Sequence, residues 1–220
     1  MRWATFDCYG TLIDWNTGIR AELVRLFGEE GGGLALRRYH ELEPLVQREH
    51  PDWTYREVMS AVLLRLADEE ARQLGGDDRD ALGRSLPDWP VFREVPDALR
   101  EARERGWSLA ILSNSDPDFI EASMKSIGVP FELAVVASEI GSYKPAPGHW
   151  ESFYERTGAD PRSHVHVAAS QYHDIRPARD LEIACVWINR LGEQGQVSPT
   201  RELHDLSELP RVLDELVPGA

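Results

Sequence analysis

Two carboxylates, one ammonium group and several small hydrogen-bonding side chains fall in four separate segments, each placed behind an apolar run. Asp7 closes the run Trp3–Cys8, and Tyr9, Gly10 and Thr11 follow it. Ser113 and Asn114 follow Ser108–Leu112. Lys144 lies beyond Leu133–Ala137 in a Ser-Tyr-Lys-Pro stretch, and Ser170, Gln171, His173 and Asp174 come after Val165–Ala169. A carboxylate held in line with an electrophilic centre can act as a nucleophile. Lys144 would keep Asp7 ionised by lowering its pKa, and could also hold an anionic substrate group. Thr11 can fix the second oxygen of Asp7, and Ser113 and Asn114 can donate to a carboxylate, a phosphate or a departing halide. Asp174 can orient Lys144, bind a cation or help activate water.

Those segments need a scaffold that brings strand ends together. Short apolar strands alternate with helices of about ten residues from Val95 onward, the pattern of a parallel sheet covered on both faces. The expected helices are Val95–Arg105, Pro117–Ile127, His149–Thr157, Ile175–Leu181 and Glu208–Leu216, with Ala184–Ile188 as a further strand. In such a doubly wound sheet, ligands bind beyond the carboxyl ends of the strands. Between the first strand and the rest lies a long helical stretch. Gly18–Phe27 has apolar residues at helical spacing, Gly31-Gly32-Gly33 is expected to break it, and Leu34–Arg48 and Tyr55–Leu74 follow. The expected organisation is an α/β, Rossmann-like core from residues 1–14 and 89–220, with a helical cap inserted at 15–88.

Composition narrows the function classes. The chain has 220 residues and a formal net charge of −14, and no basic patch stands out against that field, so nucleic acid is not an expected partner. No apolar run is long enough to cross a bilayer and no secretory leader opens the chain, so no membrane partner and a cytoplasmic location are expected. Cys8 and Cys185 each lie in an apolar run and read as buried thiols rather than a disulfide.

Taken together, the four segments resemble the haloacid dehalogenase superfamily, in its L-2-haloacid dehalogenase-like branch. Phe6-Asp7-Cys8-Tyr9-Gly10-Thr11-Leu12 matches the first motif, Leu112-Ser113-Asn114 the second and Tyr143-Lys144-Pro145 the third. Asp174 with Trp187-Ile188-Asn189-Arg190 matches the fourth and its trailing strand. The resemblance implies attack by Asp7 on the carbon bearing halogen in a small 2-haloacid, followed by hydrolysis of the aspartyl ester, with no cofactor and no metal. Phosphatases of the superfamily carry a second Asp two residues after the nucleophile as general acid; here that position is Tyr9. The family's Arg-Gln pair on the first cap helix has Arg38-Tyr39 as its nearest match. Its Asn and Trp before the last carboxylate are replaced by Gln171 and His173. Tyr9, Ser113, Asn114, Arg38, Ser170, Gln171 and His173 are therefore the expected substrate-binding residues, and Asp7, Lys144, Asp174 and Thr11 the catalytic ones. The family also suggests a homodimer.

Two other readings stay open at this stage. A phosphatase could use Mg²⁺ held by Asp7, the Tyr9 backbone carbonyl and Asp174. A protein that kept the fold and lost catalysis would act by binding alone. His164 and His166 alternate with valines in a strand and read as structural. Trp53 reads as core, and Arg37 or Arg38 could clamp a substrate carboxylate.

Overall fold

The computed structural model describes residues 1–219. Six strands form a single sheet: β1 (Arg2–Phe6), β2 (Trp107–Ser113), β3 (Leu133–Val136), β4 (His164–Ala168), β5 (Ala184–Ile188) and β6 (Arg201–Leu203). All adjacent pairs are parallel, in the order β3-β2-β1-β4-β5-β6. The chain winds outward from β1 on one side and returns to start again at β4 on the other. The β1/β4 junction is thus the point where strand order reverses, and a crevice opens there.

Alternation along β1 sends its side chains into two cores. Ala4 and Phe6 pack with Leu109, Ile111 and Val165, while Trp3 joins Ala110, Trp150 and Phe153. Both faces are covered, which is why the strands read as nearly continuous apolar runs. The helices are α1 (Trp15–Glu49), α2 (Tyr55–Glu69), α3 (Ala81–Ser85), α4 (Val95–Glu104), α5 (Pro117–Ile127), α6 (Ala137–Ile140), α7 (Gly148–Thr157), α8 (Arg176–Asp180) and α9 (Leu209–Leu216).

The helical insertion differs from its expected outline. Gly31-Gly32-Gly33 lies inside α1, and the break falls at Gly28, whose φ of 81° and ψ of 167° favour a residue without Cβ. Gly32 is helical and buried, and a shortage of space there excludes a Cβ. A Cβ there would approach Val24 Cγ2 to 2.5 Å. Helix α2 ends at Glu69 rather than Leu74. Its start is fixed twice. Thr54 and Glu57 form a reciprocal capping box, and Asp116, in the loop after β2, accepts from the backbone N–H groups of Tyr55 (2.9 Å) and Arg56 (3.0 Å). That second contact ties α2 to the rim of the sheet. Strand β6 has no counterpart among the expected strands, because two charged residues and a single leucine give no apolar run. Trp53 is half-buried and stacked on His50 at 3.6 Å rather than sunk in the core. Both cysteines are free and buried. Among the described residues, no helix is long and apolar enough to cross a membrane.

Candidate active site

Asp7 is the first residue past β1, and its backbone N–H still donates to Val167 O on β4 (3.0 Å). The chain then turns sharply. Leu12 and Ile13 both donate to Cys8 O, and Gly10 adopts a φ of 90°. This turn points Thr11 back at Asp7. Thr11 Oγ1 donates to Asp7 Oδ2 (3.0 Å) and accepts from Ala169 N (2.9 Å). Arg190 braces the turn from outside, donating to Thr11 O (2.8 Å) and Glu94 (2.7 Å) while stacked over Phe92.

Lys144 is 1% exposed, and its ammonium has three partners: Asp7 Oδ1 at 2.9 Å, Asp174 Oδ1 at 2.7 Å and Leu112 O at 2.8 Å. An ammonium has three protons, so this donor set is full. The lysine cannot also hold a substrate anion without giving up one of these bonds. Its backbone is gripped by Asn114, which accepts from Lys144 N (2.6 Å) and donates to Lys144 O (2.9 Å). Asn114 thus positions the lysine and retains a single amide N–H for a ligand.

The three charges settle unequally. Burial disfavours the Lys144 ammonium, yet Asp174 and Asp7 together raise its pKa. Burial also opposes ionisation of Asp174, but Lys144 and His166 hold it well below the usual carboxylate range. Asp7 goes the other way. Burial and the charge of Asp174 outweigh Lys144 and Thr11, so its pKa is raised, not lowered as the sequence suggested. One ammonium shared by two carboxylates cannot fully compensate both.

Asp174 sits in a π-helical turn, Gln171–Ile175, capped by Ser170, whose Oγ accepts from His173 N (3.0 Å). His166 Nε2 lies 3.0 Å from Asp174 Oδ1, and Asp174 Oδ2 has no protein partner. Behind His166 runs a buried chain. Thr5 Oγ1 lies 2.8 Å from His166 Nδ1 and 2.7 Å from His164 Nε2, and Tyr154 Oη lies 2.7 Å from His164 Nδ1. One assignment satisfies every link: Tyr154 donates to His164, His164 to Thr5, Thr5 to His166, and His166 to Asp174. His164 stays within this buried chain, whereas His166, also expected to be structural, reaches Asp174.

Asp7, Lys144, Asp174, Tyr9, Ser113, Asn114, Ser170 and His173 line one cleft of about 190 Å³. Its opposite wall is Trp15, His40, Glu43, Pro44 and Gln47 of α1 with Tyr55 of α2. Tyr9 presents its ring, stacked on Tyr55, while its hydroxyl pairs with Ser123 (3.1 Å). Two expected contacts are absent. Arg38 faces away, 42% exposed, in ion pairs with Glu69 and Glu41, which is where a helix places the residue beside a buried Tyr39. Gln171 turns to the other side of its loop, where its Oε1 accepts from Val197 N (2.9 Å). Sequence reasoning also missed His40, Glu43 and Gln47. The usable signal was polar residues at i and i+4 on the buried face of α1.

Among the described residues, no group of three His, Cys, Asp or Glu side chains could hold a metal ion. The Lys144 ammonium already bridges the two carboxylates that would be its ligands.

Comparison with known proteins agrees with this geometry. The family model described as haloacid dehalogenase-like hydrolase matches residues 1–181. An (S)-2-haloacid dehalogenase of Pseudomonas sp. strain YL is 32% identical over 208 residues, covering 87% of this chain and 85% of the relative. A phosphoserine phosphatase of Thermus thermophilus is 31% identical over 147 residues, 65% of this chain; the match spans 57% of that relative's length. In fold, the crystal structure of an L-2-haloacid dehalogenase superposes with a TM-score of 0.87 at 24% identity, covering 97% of this chain and 99% of the other. The Xanthobacter autotrophicus L-2-haloacid dehalogenase with chloropropionic acid covalently bound also gives 0.87, at 16% identity, covering 97% and 98%. The chain belongs to the haloacid dehalogenase-like hydrolases.

Proposed function

We propose that the protein hydrolyses the carbon–halogen bond of a small anionic 2-haloacid through an ester on Asp7. The carboxylate attacks the carbon bearing halogen from behind, a C–O bond forms, and the C–X bond breaks with its electron pair leaving as halide. Water then adds to the Asp7 carboxyl carbon. The acyl C–O bond breaks, the departing alkoxide takes one proton, and the other proton of water is released when Asp7 reionises. Asp174, held ionised by Lys144 and His166, has its free Oδ2 to accept from that water.

One observation carries this reading. At the place where an alkoxide leaving group would need an acid, the side chain is Tyr9. Its hydroxyl is tied to Ser123, and burial pushes its pKa well above the usual phenol value. A halide leaves without a proton. The test is a single turnover on 2-chloropropionate with enzyme in excess in ¹⁸O water. Halide release with ¹⁸O in the peptide containing Asp7 is expected, and Asp7→Asn should lower release by roughly three orders of magnitude or more. EDTA-sensitive release of phosphate from p-nitrophenyl phosphate, with no halide from any haloacid, would overturn the reading.

A further inference from the structure

The cleft has to admit an anion against its own charge. Asp7, Glu43 and Asp174 line it with Lys144 alone, whose three protons are already donated. The donors it keeps for a ligand, the Ser113 hydroxyl and one N–H of Asn114, are neutral. Its histidines add no charge at neutral pH, because burial lowers the pKa of both, that of His173 to about 4. The chain as a whole carries a formal charge of −14. A positive potential for a carboxylate must therefore come from beyond the cleft walls.

Two further cavities share walls with it. One, of about 600 Å³, meets the cleft at Tyr9, Trp15, His40 and Ser170. Asp14, Glu193 and Asp205 line it, and its one guanidinium, Arg190, is paired with Glu94 at 2.7 Å. That side repels anions. The other, of about 270 Å³, meets the cleft at Pro44, Gln47, Lys144 and His173. No Asp or Glu side chain lines it, and its rim carries Arg48, exposed in the last turn of α1. Among the described residues, no carboxylate lies within ion-pair distance of this guanidinium, and the neighbouring Glu49 pairs with Arg65 instead. The charge of Arg48 is felt on the shared wall. There, with Lys144, it adds to burial in lowering the pKa of His173, against Asp174.

Resting on the 2-haloacid reading above, we infer that Arg48, acting across this second cavity, supplies the positive potential that makes the cleft prefer a carboxylate to a neutral ligand of the same shape. Arg48 does not itself line the cleft. It is a specificity-determining residue that acts on binding and leaves the chemical step alone. At such a hydrated rim, one unit charge is worth roughly threefold to tenfold in affinity for an anion. Salt screens that attraction.

Calorimetric titration of the full chain with the unreactive analogue propionate tests this. At low ionic strength Arg48→Gln should weaken binding roughly threefold to tenfold, Arg48→Glu by about the square of that factor, and Arg48→Lys hardly at all. The losses should shrink as sodium sulfate raises the ionic strength to ~0.5 M. In turnover, the KM for 2-chloropropionate should rise by the same factors while kcat holds. The inhibition constant of neutral 2-chloropropionamide should not move. Arg156→Gln removes an equal charge from the exposed far end of α7 and should match the native chain throughout. Unchanged affinity in Arg48→Gln, an equal loss in Arg48→Lys, an equal loss for the amide, an equal loss in Arg156→Gln, or no binding of propionate by the native chain each overturns the inference. Failure of the dehalogenase reading is a different result, absence of halide release from every haloacid, and the propionate titration is read independently of it.

Discussion

The two walls of the cleft are built on opposite principles. On the sheet side almost every polar atom is committed: Lys144 to three acceptors, Asn114 to the lysine backbone, Thr11 to Asp7 and Ala169, and His166 to Asp174 and Thr5. On the α1 side Glu43 has one amide partner, and Tyr39 Oη has none. A saturated network holds a reacting carboxylate in one geometry; a loosely partnered wall leaves donors and acceptors for a ligand. Preorganisation and recognition are thus segregated onto different elements.

The contrast can be broken most severely at Lys144. Lys144→Met leaves two buried carboxylates uncompensated, and a loss of ~3–5 kcal/mol of stability is expected from removing one partner of a buried pair. Both carboxylate pKa values should rise, and urea unfolding followed at pH 5 and pH 8 should show the larger loss at pH 8, where both would be charged. Activity would vanish with the ionised nucleophile.

A smaller effect is expected behind Asp174. His166→Leu removes a hydrogen bond to a charged group worth ~1.5–3 kcal/mol. On the proposed mechanism kcat should fall roughly tenfold to a hundredfold while the first-turnover halide burst persists. The aspartyl ester would accumulate enough to be seen by mass spectrometry; an unchanged kcat would show that the relay does not act on Asp174. Asp7 must be ionised to attack and its pKa is raised. Native kcat/KM should therefore decline with falling pH from above the ordinary aspartate value of ~3.9, not below it. The smallest effect belongs to Arg38. Arg38→Ala breaks exposed ion pairs only, so the urea unfolding midpoint and the kinetic constants should both hold. A large rise in KM would place this arginine in the cleft after all.

Legibility followed the kind of signal each part produces. Five of the six strands were readable because strands buried on both faces are apolar runs, and the chemistry was readable because polar residues sit directly behind them. The helical insertion was harder. Three consecutive glycines look like a break, but Gly32 is used for close approach to Val24, and the interruption falls at Gly28 through its backbone dihedrals. Arg38 was misplaced because residues adjacent in a helix differ by about 100° in direction, so a one-residue error in alignment moves a side chain from cleft to solvent.

Residue order alone determined the parallel sheet, the strand-end location of Asp7, Ser113, Asn114 and Asp174, and the absence of an acid at Tyr9. Those follow from hydrophobic periodicity and from residue type, which are local properties. Only the tertiary structure decided that Lys144 is fully occupied, that His166 rather than Arg38 reaches the site, and that Glu43 shares a cleft with Asp7. Each depends on side chains from distant segments competing for a few protons in one buried space, and that competition exists only once the chain has closed around it.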